Sequence, residues 1–244
     1  MERILIFLYQ WIILAPIFII LTFITAIIVI VFSTIFGNKY CGYYPPKWWS
    51  RLTCWLSLCR VKSSGHENLN KETSYVFVSN HQGAYDIFLT YGFLNHNIKW
   101  VQKIGLRKLP FVGKASEIAG HVFVDNSSLA SRMESIIKIK KAIGVGGVSI
   151  MMFPEGSRTR DGKLSSFRRG AYKLAIDMEL PIVPITINGP YDVMKRNSIT
   201  FNPGRLELTI HKPIPTASLT KDDMPRLMDQ TKETIHSALW EKYK

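Results

Sequence analysis

A histidine and an aspartate stand close together in the stretch NHQGAYD, residues 80–86, between two apolar runs. On one helix, positions with this spacing lie about 140° apart around the axis, so His81 and Asp86 could not meet there. They can meet if His81 lies in a turn that follows a strand and a helix begins just before Asp86, with Gly83 as the flexible joint. An ionised acid beside an imidazole orients the ring and fixes its tautomer. The spacing then predicts a general base that acts directly on a hydroxyl group or on water.

The same spacing also arises by chance, when a buried histidine precedes a helix-capping acid. A second polar motif, FPEGSR from Phe153 to Arg158, favours the chemical interpretation. Pro154 and Gly156 predict a turn at the end of a strand, which would present Glu155 and Arg158 in one crevice. Because arginine suits bidentate capture of phosphate, the two motifs predict a base and an anion-binding residue at one edge of a sheet.

The elements that must position these motifs follow Arg60, where short apolar runs alternate with amphipathic segments. The candidate strands are Tyr75–Ser79, Ile98–Gln102, His121–Val124, Val148–Phe153, Ile182–Ile187 and Leu206–Ile210. The candidate helices are Tyr85–Leu94, Leu129–Ile143, Arg169–Met178 and Asp223–Lys242. Strands that alternate with helices predict an α/β layered domain with a largely parallel central sheet.

The N-terminal run from Ile4 to Gly37 carries no charge. As one straight helix it would be ~50 Å long, against a hydrocarbon core of ~30 Å, and Pro16 interrupts it. Two shapes are compatible with it: a helical hairpin broken near Pro16, or an interfacial helix followed by one span over residues 17–36. Basic residues flank both ends and favour the cytoplasmic side, which favours the hairpin. The aromatic residues between Tyr40 and Trp55 suit the headgroup layer.

Composition limits the partners. Lys and Arg number 31 against 18 Asp and Glu, and the formal net charge of +13 favours anionic partners such as lipid or phosphorylated substrates. RNA-recognition signatures are absent, so no nucleic-acid partner is expected. The three cysteines are Cys41, Cys54 and Cys59, and they show neither a disulfide framework nor metal-ligand spacing.

These motifs resemble those of the glycerolipid acyltransferase family, in particular its members that acylate 1-acylglycerol 3-phosphate. The family's first block, N-H-x4-D, is matched by Asn80, His81 and Asp86, and its third, F-P-E-G-[ST]-R, by Phe153–Arg158. Residues 183–187 match the fourth block, and the intervening RDGKLSSFRRGAYKLA resembles the family's segment ending in F-[KR]-x-G-[AS]. The resemblance covers roughly residues 60–215 and implies a glycerol-3-phosphate acyltransferase-like fold.

The resemblance implies direct acyl transfer without an acyl-enzyme. His81 would take the proton from the sn-2 hydroxyl of lysophosphatidic acid, and the alkoxide would attack an acyl thioester of coenzyme A or acyl carrier protein. Asp86 would hold the ring and stabilise its imidazolium form. Lys103 matches a family lysine that could stabilise the oxyanion, although Gly105 stands where its usual glutamate companion belongs. No cofactor and no metal is expected besides the acyl donor, which is a co-substrate.

Arg158 would bind the phosphate of the acceptor. One departure from the family concerns this acceptor: in the second block, GHVFVDN from Gly120 to Asn126, asparagine replaces the usual arginine. Arg132 is predicted to substitute for that arginine, with Lys163 and Arg168 as further candidates. The predicted substrate-binding residues are Glu155, Gly156, Ser157, Arg158, Asn126 and Arg132.

The predicted organisation is a membrane-anchoring helical segment over residues 1–60, with its aromatic interfacial stretch, and an acyltransferase domain over residues 61–244. The domain would lie on the cytoplasmic face of a membrane, which we expect to be a bacterial inner membrane. Its partners would be lysophosphatidic acid, the acyl donor and membrane lipid. The alternatives are transfer to another lysolipid, acyl hydrolysis with water at His81, and a membrane-anchored anion-binding module without catalysis.

Overall fold

The Val- and Ile-rich runs of the sequence form a single sheet. The computed structural model describes residues 2–125, 128–143 and 146–244, and within them seven strands belong to this sheet. The strands are β1 (Arg60–Ser64), β2 (Val76–Ser79), β3 (Asn97–Lys103), β4 (Val122–Val124), β5 (Val148–Met152), β6 (Ile182–Asn188) and β7 (Arg205–Ile210). The helices are α1 (Glu2–Leu8), α2 (Ala15–Phe36), α3 (Asn38–Cys41), α4 (Tyr44–Leu56), α5 (Tyr85–Phe93), α6 (Val112–Ile118), α7 (Leu129–Ile143), α8 (Gly170–Asp177), α9 (Pro190–Val193) and α10 (Met224–Ser237).

The strand order is β1-β7-β6-β2-β5-β3-β4. Strands β6, β2, β5, β3 and β4 are parallel, whereas β7 runs antiparallel to β6 and pairs in parallel with the edge strand β1. The prediction of an α/β fold with a largely parallel sheet is therefore confirmed. Because β2, β5 and β3 are neighbours, the segments that follow them leave the sheet at one common edge, where α/β proteins build their sites.

Both faces of the sheet are covered. Phe77 of β2 faces a cluster that contains Leu89 of α5, and its neighbours Val76 and Val78 face a second cluster that contains Tyr172 of α8. This alternation follows from the two-residue period of a strand. Burial on both faces explains why β2, β5 and β6 are predominantly apolar, as strands of parallel sheets usually are.

Some elements differ from the prediction. Strand β1 is not predicted because RVKSS is an exposed, polar edge strand, and its pairing with β7 is what orders it. The predicted helix Asp223–Lys242 is too long, since α10 ends at Ser237. Beyond that end, the backbone N–H of Trp240 donates to Asn188 Oδ1 at 2.9 Å and its indole N–H donates to Glu207 Oε2 at 2.9 Å. These tertiary hydrogen bonds stop the helix where local propensity alone would extend it.

The N-terminal run is helical throughout, so the predicted hairpin with a break near Pro16 is wrong. A π turn at Tyr9–Leu14 joins α1 to α2, and Pro16 lies in the first turn of α2. Because proline has no N–H to donate, the regular hydrogen-bond ladder is interrupted there, and the π turn carries the helix past the interruption. The chain reverses instead after Gly37, whose φ of 84° suits glycine, and α4 then packs on α2.

One face of this long helix lies along the α/β domain. The amide of Gln10 donates to the carbonyl of Ile199 at 2.5 Å and accepts from the N–H of Phe201 at 3.0 Å. Further along, Leu14 joins the core cluster on the α5 side of the sheet, and Val29 packs in a small cluster with Ala115 and Ala119 at α6. The rest of the helix surface exposes large apolar side chains, including Ile4, Ile12, Ile19, Phe23, Ile27, Phe32, Ile35 and Phe36.

Candidate active site

The turn between β2 and α5 brings His81 and Asp86 together. Strand β2 ends at Ser79, α5 begins at Tyr85, and His81 Nδ1 lies 2.5 Å from Asp86 Oδ2. The same oxygen accepts the N–H of Gly83 at 3.0 Å. Because a carboxylate oxygen accepts this contact, Nδ1 carries the hydrogen and Nε2 keeps a free lone pair. The Asp86 side chain is fully buried, whereas 18% of the His81 side chain is exposed, so only the imidazole is open to a ligand.

The FPEGSR turn holds the main chain of His81 from both sides. Glu155 Oε1 accepts the N–H of His81 at 2.7 Å, and the carbonyl of His81 accepts the N–H of Thr159 at 2.8 Å. The other oxygen of Glu155 accepts both the N–H and the hydroxyl of Ser165, at 3.0 and 2.6 Å. Burial raises the pKa of Glu155, and these hydrogen bonds oppose the rise. The sequence predicts Glu155 in a crevice beside Arg158, but its carboxylate points into the protein, where it holds the catalytic turn in place.

Asn80 fixes the start of this turn. Its amide donates to the carbonyl of Ile187 at 2.8 Å, and its side-chain oxygen accepts the N–H of Ile187 at 2.8 Å. The pair extends the β2–β6 ladder beyond its last register pair, Ser79 and Ile185. The asparagine of the first block therefore anchors the strand end from which His81 projects. An amide directly before the histidine was the only local signal for this role.

An aromatic column supports the imidazole. The ring of Phe153 stacks on His81 with centroids 4.0 Å apart and an interplanar angle of 8°. Trp100 of β3 stacks in turn on Phe153, at 5.6 Å and 26°. Sequence reasoning did not identify Phe153 and Trp100 as parts of the site. Their positions became visible only once β2, β5 and β3 were known to be adjacent strands.

Two arginines lie at the FPEGSR turn. Arg158 is half-buried, and its guanidinium has no hydrogen-bond or ion-pair partner among the described residues. Gly156 has a φ of 73°, and a Cβ atom added there would stand 2.7 Å from Cζ of Arg168. The backbone N–H of Arg168 also donates to the carbonyl of Pro154 at 2.9 Å. The guanidinium of Arg168 therefore lies against the turn that carries Arg158, and Ser157 between them is exposed.

The remaining predicted site residues are not brought into contact with the pair. Lys103 ends β3, pairs in register with Val124 and is exposed, and its amine makes no hydrogen bond within the described part of the chain. Neighbouring strands lie ~4.8 Å apart, so its strand is ~10 Å from β2. Asn126 lies outside the described residues, and so does the side chain of Arg132 in α7.

Two further histidines are structural. His121 accepts the backbone N–H of Trp100 at Nδ1, 3.3 Å away, and its Nε2 lies 2.9 Å from the hydroxyl of Tyr91. Burial lowers the pKa of His121 to about 3 and that of His96, which bonds Ser149, to about 4. Both rings are therefore neutral and occupied at neutral pH. Among the described residues, no group of three or more His, Cys, Asp and Glu side chains could hold a metal ion.

The chain is similar to known acyltransferases. A family model described as "Acyltransferase" matches residues 60–188. The human "1-acyl-sn-glycerol-3-phosphate acyltransferase alpha" is 29% identical over 176 residues, which are 72% of this chain and 62% of the human protein. The chloroplastic 1-acyl-sn-glycerol-3-phosphate acyltransferase of Arabidopsis thaliana is 31% identical over 174 residues, or 70% of this chain and 48% of that protein. The Saccharomyces cerevisiae enzyme of the same name is 29% identical over 183 residues, 74% of this chain and 60% of that protein.

The chain thus spans less than two thirds of the length of these curated relatives. The crystal structure of the 1-acyl-sn-glycerophosphate acyltransferase from Thermotoga maritima superposes with a TM-score of 0.76 at 24% sequence identity. That superposition covers 99% of this chain and 100% of the other. The two proteins therefore share their fold, including the helical N-terminal part.

Proposed function

The chain belongs to the acyltransferase family, and on that premise we propose that it acylates the sn-2 hydroxyl of 1-acylglycerol 3-phosphate. The product would be phosphatidic acid, a precursor of phospholipids. One observation carries the proposal: His81 offers a free Nε2 at an open sheet edge while its Nδ1 is held by the buried Asp86. The names of the curated relatives, which are 1-acyl-sn-glycerol-3-phosphate acyltransferases, supply the substrate class.

In the proposed reaction, His81 Nε2 removes the proton of the sn-2 hydroxyl as its oxygen attacks the carbonyl carbon of an acyl thioester. Asp86, fixed at Oδ2 by the N–H of Gly83, stabilises the imidazolium that forms. The tetrahedral intermediate collapses with cleavage of the carbon–sulfur bond, and the departing thiolate takes the proton from Nε2. Lys103 is the proposed group for the oxyanion, because it lies at the same edge with an amine that is unpaired within the described residues.

The acceptor phosphate is assigned to Arg158, whose guanidinium is free among the described residues and suited to bidentate contact. A dianionic phosphate calls for a second cation, and the family's arginine is replaced here by Asn126. The packing of Arg168 on Gly156 makes Arg168 the candidate that we propose for this second cation. The two guanidiniums would then grip the phosphate from either side of Ser157.

The acyl donor is proposed to be acyl-CoA or acyl carrier protein. The first is anionic through its phosphates and the second through an acidic surface, so both suit a chain with a net charge of +13. No other cofactor is required, because proton transfer and acyl transfer need only the imidazole and the two substrates.

The N-terminal helix is proposed to lie in one leaflet of the membrane. Its 33-residue apolar run includes an 18-residue window with a mean hydropathy of 3.0, yet the helix contacts the α/β domain from Gln10 to Val29. That stretch is ~28 Å long, nearly the thickness of the hydrocarbon core. A perpendicular span would draw the α/β domain into the hydrocarbon. Insertion of the exposed face keeps that domain in water, on the side we propose to be cytoplasmic, with Tyr44, Trp48 and Trp55 at headgroup level.

Acyl transfer by the purified full chain in lipid vesicles tests this function. The assay presents both thioester donors to a panel of acceptors: lysophosphatidic acid, zwitterionic lysophospholipids and an amino-acid lysolipid. We expect transfer to lysophosphatidic acid to dominate and to be lost in His81→Gln. Thioester cleavage without a lipid product would identify a hydrolase, and preference for a neutral or zwitterionic acceptor would reject the proposed substrate.

A further inference from the structure

The segment that leaves β3 at the active-site edge is unusually apolar for an exposed surface. It reads KIGLRKLPFVGK, from Lys103 to Lys114. Its exposed large side chains are Ile104 (41%), Leu106 (44%), Leu109 (47%), Phe111 (51%) and Val112 (37%). Exposed apolar residues gathered in one patch mark an interaction surface more often than those scattered singly.

Hydrogen bonds, an ion pair and close backbone packing hold the segment in a defined conformation. The N–H of Gly113 donates to the carbonyl of Leu109 at 2.9 Å, and Arg107 Nη2 lies 2.5 Å from Glu117 Oε1. A Cβ atom at Gly113 would stand 2.2 Å from the carbonyl oxygen of Arg107, so the fold-back requires glycine. Phe111 has a φ of 58°, which is unfavourable for a residue with a bulky side chain. The local packing thus maintains a strained backbone that leaves the Phe111 ring half-exposed.

The charges within the segment are all positive, and Glu117 of α6 offsets part of them by pairing with Arg107 and lying 3.9 Å from Lys114. Lys103, Arg107, Lys108 and Lys114 lie within the segment, which contains no Asp or Glu. Cations next to exposed apolar side chains complement an anionic lipid bilayer, which has negatively charged headgroups over an apolar interior. An acidic protein partner would match the charges but would not explain so much exposed aliphatic surface.

The segment also continues a membrane-facing surface. The ring of Phe111 packs against Phe23 of α2, with centroids 4.9 Å apart. Phe23 belongs to the exposed apolar face of the N-terminal helix, where it is 42% exposed. At its other end the segment begins at Lys103, on the sheet edge that carries the candidate active site. It therefore bridges the helix and the site.

We propose that Lys103–Lys114 is a second membrane-contact surface, which inserts Leu106, Leu109 and Phe111 into an anionic bilayer. This inference rests on the proposed function in that the acceptor is a membrane lipid. Contact of this segment with the bilayer orients the domain so that the edge of β2, β5 and β3 faces the lipid. A lysolipid could then reach His81 without its acyl chain crossing water.

Enzyme kinetics with the full chain provide the first test. Leu106→Ser/Leu109→Ser is compared with Ile137→Ser, which removes a 65% exposed apolar side chain on α7. Each variant is assayed with long-chain acceptor in anionic vesicles and with short-chain acceptor dissolved as monomers. We expect the double variant to lose at least about fivefold on vesicles, through lost apolar insertion, and to match wild type on the soluble acceptor. An equal loss on both acceptors, or no loss on vesicles, would overturn the proposal.

A binding measurement tests the surface independently of catalysis. Leu109→Cys and Ile137→Cys, each with Cys41 and Cys59 replaced by serine, carry an environment-sensitive fluorophore. Vesicles of phosphatidylglycerol and phosphatidylcholine should shift the emission at position 109 to the blue and leave position 137 unchanged. If vesicles cause no emission shift at position 109, the proposed membrane-contact surface is rejected. It is also rejected if the blue-shifted emission is already present without vesicles, because a second copy of the chain would then cover this position. If the wild-type protein acylates no acceptor, the proposed function is wrong. The fluorescence measurement still shows whether Lys103–Lys114 contacts the membrane.

Discussion

The aromatic ring of Phe153 lies parallel to the imidazole of His81, with the two centroids 4.0 Å apart. Phe153 directly follows strand β5, and His81, which follows the adjacent strand β2, is the proposed general base. The Phe153 ring contacts the face of the imidazole, while Asp86 accepts a hydrogen bond from Nδ1 at its edge. Together the two contacts restrict both the tilt and the rotation of the imidazole.

Phe153→Leu should therefore lower kcat without an equal change in KM. The aromatic face both orients the ring and attracts the imidazolium that forms during proton transfer, an interaction of ~0.5–2 kcal/mol, or roughly a two- to thirtyfold effect. Phe153→Tyr keeps the stacking face and should restore most of kcat. A loss in the tyrosine variant as large as that in the leucine variant would show that packing volume alone matters.

His81→Gln should reduce acyl transfer by ~10²–10⁴, because it removes the general base. Asp86→Asn should be less severe, since the imidazole remains but loses the charge that stabilises its protonated form. His236→Gln, at an exposed position of α10, is the matched control and should behave as wild type. Specific activities are to be compared only between variants whose melting temperatures equal that of the wild type. His81→Gln with more than a tenth of wild-type activity would refute the mechanism.

Arg158→Ala should raise the KM of the acceptor more than that of the donor, since its guanidinium is assigned to the acceptor phosphate. The loss of one charge-assisted contact corresponds to ~1.5–3 kcal/mol, or roughly ten- to a hundredfold. Arg168→Ala should act in the same direction, and Asn126→Arg should partly rescue it. Separate titrations of the two substrates provide the measurement. An effect confined to the donor would place Arg158 at the other end of the site.

Lys99 should make stability depend on pH in the alkaline range. Its buried amine donates to the carbonyls of Asn38 and Ala119, at 3.0 and 2.7 Å, and burial lowers its pKa to about 8. Between that value and the ordinary pKa near 10.5, the unfolded chain binds more protons, so the free energy of unfolding contributed by Lys99 rises with pH. The full effect is on the order of 3 kcal/mol.

Lys99→Met isolates this contribution, because other titrating groups cancel in the comparison. The stability of wild type relative to Lys99→Met should increase from pH 8 to pH 10.5, as measured by thermal unfolding in detergent. A constant difference over that range would mean that folding does not lower the pKa of Lys99, because the folded and unfolded chains would then bind equal numbers of protons at this amine.

Gln10→Leu should destabilise the docking of the N-terminal helix on the α/β domain. The substitution leaves the buried N–H of Phe201 without a partner, at a cost of ~1–3 kcal/mol, and removes the hydrogen bond to the carbonyl of the exposed Ile199. Thermal unfolding should occur at a lower temperature, whereas flotation with vesicles should be unchanged because the apolar face is intact. Trp11→Leu, which alters the exposed face, is the control. A wild-type melting temperature for Gln10→Leu would mean that this contact does not hold the helix.

The sequence was sufficient for features that depend on local pattern. Alternating apolar runs and amphipathic segments predicted the α/β class, and the glycine and proline positions predicted the turns that carry His81 and Arg158. The spacing of His81 and Asp86 predicted a strand–turn–helix junction, because the two side chains could meet in no regular element. The uncharged run after Arg3 predicted an apolar helical segment. Each of these follows from residue periodicity and backbone stereochemistry within about twenty positions.

Tertiary structure alone decided which distant residues share the site and what they contact. Glu155 turns its carboxylate to the main chain of His81 because β5 lies beside β2, a neighbourhood that no local pattern encodes. Trp100, Phe153 and His81 form a column for the same reason. The N-terminal helix continues past Pro16 because α4 and the α/β domain cover one of its faces, so packing outweighs the local preference for a break. Long-range contacts set these features, and their energies come from pairings between segments that are remote in the chain.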